Sequence, residues 1–125
     1  MFIIDSNKTI HVTRGDIGSF SVGATDGDQA PYTFRQGDIV RLLVTKKKAC
    51  DEVVLSKSVE AIPGTTEVDF KLTTEDTRIG EVINKPVDYW YEIELNPDTY
   101  PQTLIGYDED GPKIFRLYPE GVKEL

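Results

Sequence analysis

The sequence predicts an all-β fold, an antiparallel β-sandwich in one domain over residues 1–125 with a single short helical turn near 74–79. Three observations lead there. Val87 to Leu95 alternates cleanly, with Val87, Tyr89, Tyr91, Ile93 and Leu95 on one face and Asp88, Trp90, Glu92 and Glu94 on the other. Successive side chains of a strand point to opposite faces, and neighbouring aromatics suit a pleated, half-buried surface. About eight short runs of this kind follow one another at regular spacing. Between them stand turn-forming clusters of Gly, Pro, Asn and Asp, which is the punctuation of a sandwich.

Taken in order, Phe2–Ile4 and Ile10–Val12 are short apolar runs joined by Asp5-Ser6-Asn7-Lys8, a good turn. Gly15 supplies a turn before Ser19–Gly23, where Phe20 and Val22 face inward. A polar loop opens at Asp26-Gly27-Asp28 and runs to Gln36-Gly37-Asp38, with Pro31, Tyr32 and Phe34 expected to fold back on the core. Ile39–Thr45 and Val53–Val59 read as a hairpin. Thr66–Leu72 alternates again, with Val68, Phe70 and Leu72 inward. Thr73-Thr74-Glu75-Asp76 has a threonine cap followed by acids that the helix dipole favours. Gly80 and Pro86 keep that helical piece short before the aromatic strand begins. Gln102–Tyr107 and Lys113–Leu117 are expected to pair across Asp108-Glu109-Asp110-Gly111 as a closing hairpin. The last few residues after Tyr118-Pro119-Glu120-Gly121 should fray.

Composition narrows the function classes. Fourteen basic against twenty-two acidic residues give a net charge of −8, a field that repels phosphate backbones and anionic lipid, and so neither nucleic acid nor membrane is expected as a partner. No apolar run approaches the roughly 20 residues of a membrane helix. The first residues have no basic leader and no small-residue cleavage site, so no signal peptide is expected. Lys46, Lys47 and Lys48 read as a solvated turn that discourages edge pairing. With one cysteine, Cys50, and one histidine, His11, the chain has no internal disulfide, Cys-based zinc site or multi-His metal centre.

Each chemical signal has a plainer reading beside it. Asp108-Glu109-Asp110-Gly111 offers oxygen ligands for calcium, and Asp26 with Asp28 forms a second acidic corner. Neither has the spaced ligands and distal glutamate of an EF-hand, and acid plus glycine is what any exposed turn wants. Glu92 and Glu94 lie about 6–7 Å apart along one strand face, a spacing open to a carboxylate pair, yet they equally form a solvent face. Arg14-Gly15-Asp16 is an adhesion triplet or a turn. No Ser–His–Asp arrangement or glycine-rich phosphate loop is present in the sequence pattern. No catalytic, cofactor or metal residue is therefore assigned. Exposed aromatics remain: Trp90, Tyr89, Tyr32 and Tyr107 are the candidate interaction residues. Trp90 falls on the charged face, where it is expected to be covered by the helical turn or the loop at 31–38.

Thr13-Arg14-Gly15-Asp16-Ile17-Gly18-Ser19-Phe20-Ser21-Val22 resembles the opening of small β-domains in phage tail and baseplate proteins, where a Gly-Asp turn leads into a Phe-x-Val strand. Asp38-Ile39-Val40-Arg41-Leu42-Leu43-Val44 resembles the next strand of those domains. Thr74-Glu75-Asp76-Thr77, followed by Tyr89-Trp90-Tyr91-Glu92-Ile93-Glu94-Leu95, fits the same order. Over most of the chain the pattern is similar to the N-terminal domain of the upper baseplate protein family of phages infecting Gram-positive bacteria, and to small prophage proteins. The resemblance implies an Ig-like sandwich and a non-enzymatic phage or prophage virion structural protein. Such a protein, a tail or baseplate component made in the bacterial host cytoplasm, docks on other virion proteins and is compatible with a symmetric homo-oligomer. The competing reading is a carbohydrate-binding β-sandwich module that uses exposed aromatics, with or without a calcium loop.

Overall fold

The strand that alternates most cleanly in sequence occupies the middle of the larger sheet. In the computed structural model, which describes residues 1–25, 30–47 and 49–120, the strands are numbered in chain order and this one is β7 (Val87–Leu95). On one side it pairs with β4 (Ile39–Lys46), which pairs in turn with β5 (Ala49–Glu60). On its other side lie both β8 (Gln102–Ile105) and β9 (Lys113–Tyr118). Beyond β9 come β2 (Ile10–Thr13) and then β1 (Phe2–Ile4). A second sheet holds β3 (Gly18–Gly23) and β6 (Glu67–Leu72). The order β5-β4-β7-β9 facing β3-β6 is that of an Ig-like sandwich.

Two pairings differ from an all-antiparallel sandwich closed by a hairpin. β2 runs parallel to β9, with Ile10 opposite Phe115 and Thr13 opposite Tyr118. The closing hairpin does not form. β7 is long enough to serve two partners on one side: Val87–Tyr91 take β9, and Ile93–Leu95 take β8. Both run antiparallel to β7, so they lie end to end instead of side by side. Residues 106–112 loop out between them, closed by reciprocal backbone bonds between Asp108 and Gly111. An acidic glycine turn suits either arrangement; the length of β7 decides between them.

The core follows from the alternation. Ile10, Val12, Leu42, Val44, Phe70, Leu72, Phe115 and Leu117 are fully buried between the sheets, and truncating one of the phenylalanines costs about 3–5 kcal/mol in such settings. Phe20 stacks between Phe2 and Phe70 at the side of this core. From the loop before β4, Phe34 is buried as expected, Tyr32 is half-buried, and Pro31 stays exposed.

Polar fasteners close both ends. Buried Asp38 accepts from the Tyr32 hydroxyl (2.8 Å), the Arg35 N–H (2.9 Å) and the Asn96 amide (3.0 Å). Burial pushes its carboxyl up, but these donors outweigh that and hold it below the ordinary value. The helical turn α1 (Thr74–Thr77) starts at a threonine cap, as the sequence predicts, and the structure shows it to be a capping box between Thr73 and Asp76. Its buried Thr77 hydroxyl donates to the Asp16 carbonyl at 2.8 Å and accepts from the Gly15 N–H at 3.0 Å.

Candidate functional site

Two surfaces are left unfinished by this architecture: an open edge of the small sheet and a cleft on the outer face of the large one.

Sheet edges tend to recruit further strands, and proteins block them with charge, brevity or bulges. β5 is blocked. Its register against β4 slips between Val44 and Thr45 and again before Lys46, and Lys57 opposite buried Leu42 turns its ammonium to Asp76. β1 is only three residues long. β3 has none of these devices. Gly-Ser-Phe-Ser-Val-Gly contains no charge and no proline, and among the named strands it pairs with β6 alone. The reason is topological: the first two strands of the chain join the large sheet beside β9, leaving β3 without a second neighbour. Along this side runs a groove of about 350 Å³, lined by Ile4, Ile10, Phe20, Val22, Ile93 and Ile105 among others. Buried Tyr91 also reaches it and donates its hydroxyl to the Lys8 carbonyl; burial pushes that hydroxyl's pKa well up.

On the outer face, cross-strand register sets Trp90 of β7 between Ile114 of β9 and Thr45 of β4, with Val53 of β5 beyond. A row of mainly apolar side chains therefore crosses a face otherwise built from ion pairs. Asp88 receives a two-pronged bond from Arg116 (2.7 and 3.1 Å), and Glu94 meets Arg41 at 3.3 Å. The chain leaving the sheet at residues 106–112 raises one wall above this row. Between wall and sheet lies a cleft of about 300 Å³ bounded by Leu43, Thr45, Trp90, Glu92, Tyr107 and Pro112. Tyr107 is 75% exposed at its rim. The indole N–H of Trp90 is buried without an acceptor, a state that costs about 1–3 kcal/mol. Glu92 forms no ion pair or hydrogen bond through its carboxyl among the described residues. Burial and then neighbouring Glu94 push it above the usual carboxylate range, against a smaller opposing pull from Arg41.

Of the four predicted interaction residues, the structure brings together Trp90 and Tyr107. Trp90 is not covered by the helical turn or by the loop at 31–38; its neighbours in the cleft are Tyr107 and Pro112, because the looped-out segment stands on that face. Tyr89 lies on the opposite face of β7, opposite Phe115. Tyr32 packs edge-on against Phe34 and bonds Asp38, a structural task at the far end. Sequence reasoning missed Leu43 as an outward apolar residue, although its place between Arg41 and Thr45 on the polar phase of β4 was visible. The β3 groove had no local signal, since it depends on which sheet the first strands join.

Other candidates resolve into structure. Arg14 is an internal staple: it donates to the Gly80 carbonyl at 2.8 Å and pairs with Glu120 at 3.0 Å. His11 sits between Asp5 (2.9 Å) and Tyr118 (2.8 Å), tying the first turn to β9. Asp108 holds Lys113 at 2.8 Å and caps the Asp110 N–H. Asp26 and Asp28, Lys48 and residues 121–125 lie outside the described residues. Among the described residues no three His, Cys, Asp or Glu side chains converge as a metal site, and no helix is long and apolar enough to cross a membrane. No protein-family model, curated protein or solved structure matches the chain.

Proposed function

We propose that this chain is a non-enzymatic structural protein of a phage or prophage virion, a tail or baseplate component that docks on other virion proteins by accepting an extended strand at β3. The observation that carries the reading is the unfinished small sheet: an edge strand without charge or proline of its own, beside a largely apolar groove. An added strand would satisfy the free backbone groups of β3 and set alternate side chains into the groove, the usual division between affinity and specificity in strand addition. The resemblance to phage baseplate domains supports the virion assignment, since its Gly15-Asp16 turn leads directly into β3. Made in the host cytoplasm, the protein would act only once built into the particle.

The test is incorporation. Purified particles should contain the chain at fixed stoichiometry by mass spectrometry. Ser19→Lys with Ser21→Lys, on the exposed phase of β3, should leave the isolated domain folded but missing from particles. Absence of the wild-type chain from particles sinks the virion assignment. Normal incorporation of the double variant sinks the β3 edge as its dock.

A further inference from the structure

We propose that the outer-face cleft receives an arginine side chain of a partner protein, with its guanidinium on the Glu92 carboxylate and against the Tyr107 ring. This goes beyond the docking reading and uses the opposite side of the large sheet from the β3 groove. Two cross-strand pairs make the floor of the cleft: Leu43 beside Glu92, and Thr45 beside Trp90. The Glu92 carboxyl lies at the foot of the looped-out segment, where one of its oxygens comes within 3.8 Å of the place a Cβ on Gly106 would take. Three nearby cations are already matched. Arg41 meets Glu94, Arg116 holds Asp88, and Lys113, which lines the cleft, turns its ammonium to Asp108. Glu92 is left as an acceptor without an ion pair among the described residues, on the same face of β7 as Glu94. Burial and then Glu94 raise its pKa, and an incoming positive charge would relieve the second of these.

A ligand that completes this site must bring positive charge and must also lie well against a ring. A metal ion wants several oxygen ligands, and no three His, Cys, Asp or Glu side chains converge among the described residues. An anionic ligand meets Glu92 and the net charge of −8. A purely apolar group would cover Glu92 and leave its charge with neither water nor partner. A guanidinium meets both demands, because it forks onto carboxylates and lies flat on aromatic faces, whereas an ammonium is a strongly hydrated point charge. Its methylene stem would run over Leu43 and Trp90, as long cationic side chains cover apolar surface. The surroundings favour a protein as the source. From Trp90 the row continues through Thr45 to half-exposed Val53, beyond the cleft. Residues flanking the arginine would cover that ground, which a free small cation would leave bare. The cleft volume, about 300 Å³, lies at the small end of ligand sites and suits a single side chain.

Trp90 is the chain's single tryptophan and lines the cleft, so its fluorescence reports on the site. The experiment screens an array of capped, tryptophan-free heptapeptides with arginine fixed at the centre and the flanks varied. The strongest binders are then titrated against the protein in solution. At least one should give a saturable change in emission. Replacing its arginine by citrulline, which keeps the shape and removes the charge, should weaken binding tenfold or more. Glu92→Gln and Tyr107→Ala should each do the same while near-ultraviolet circular dichroism shows an intact fold. Tyr100→Ala, an exposed tyrosine outside the cleft, should leave binding unchanged, as should Ser19→Lys with Ser21→Lys on β3, which separates this site from the strand dock. The proposal is overturned if no arginine peptide gives a saturable change, if the citrulline peptide binds as well, or if binding survives both cleft substitutions. It is equally overturned if spermidine or arginine amide binds as tightly as the peptide, which would make a free small cation the occupant.

Discussion

Lys57 points from the edge strand β5 toward the interior, and its ammonium lies 2.5 Å from the Asp76 carboxylate that caps α1. One side chain thus guards a sheet edge and fastens a helical turn. Lys57→Met should lower stability by about 1 kcal/mol, the upper end for a partly exposed ion pair, and should also unmask the β5 edge. Urea unfolding measures the first effect. Concentration-dependent association in light scattering measures the second, and a variant that is destabilised yet strictly monomeric would deny Lys57 its guarding role.

Acid sensitivity follows from three carboxylates. Arg116 holds Asp88 low, with burial opposing; for Asp38 and Asp76 burial pushes upward but hydrogen bonds prevail. Their folded values lie below the ordinary 3.8. Each therefore adds stability that is present above that value and lost as pH falls through the folded one. Asp88→Asn should lower the urea midpoint near pH 7, and the difference from wild type should shrink toward pH 2. A difference that grows on acidification would contradict the assignment.

Glu92 has the opposite sign. Its folded value lies above the ordinary 4.5, so the stability linked to its protonated form is present below 4.5 and lost as pH rises through the raised value. Glu92→Gln should raise the unfolding free energy near neutral pH by about 0.5 kcal/mol or less, the scale of a partly exposed charge. The gain should vanish near pH 3. Loss of stability at neutral pH would mean that the carboxylate is better solvated than the cleft geometry implies.

Arg14 joins three separated pieces of chain: the end of β2, the Ile79–Gly80 backbone and Glu120. Arg14→Ala should cost about 1.5–3 kcal/mol, the range for hydrogen bonds to a charged group. Arg14→Lys should recover little of it, since one ammonium cannot match the forked guanidinium. Thermal melts of both variants decide the matter.

At Gly18 a Cβ would sit 2.2 Å from the Phe2 ring. Gly18→Ala should push Phe2 off Phe20 and loosen β1, destabilising the fold by about 1–3 kcal/mol. Hydrogen exchange should quicken first at Phe2–Ile4, and unchanged protection there would refute the contact.

How much of this was legible beforehand depended on the range of the interaction. β7 matches its sequence reading residue for residue, because alternation is a local property. The Thr73 cap and the β4–β5 hairpin are equally local. The parallel union of β2 with β9 was not legible: nothing in Ile10–Thr13 names a partner more than a hundred residues away. The same blindness hid both candidate surfaces. The β3 edge is open only because β2 went elsewhere, and Trp90 meets Tyr107 only because residues 106–112 loop out instead of turning a hairpin.

The parallel pair also sets a schedule for synthesis. Ile10–Thr13 leave the ribosome early, yet the strand that receives them, Lys113–Tyr118, is made more than a hundred residues later. Until then β1 and β2 have no place in the large sheet, and the nascent chain carries Ile10 and Val12, fully buried in the finished fold, uncovered. Closing so long a loop is slow relative to local pairing. The hairpin of β4 and β5 can form during translation, whereas β1 and β2 must wait, and a chain truncated before β9 would offer Ile10 and Val12 to chaperones and to other chains.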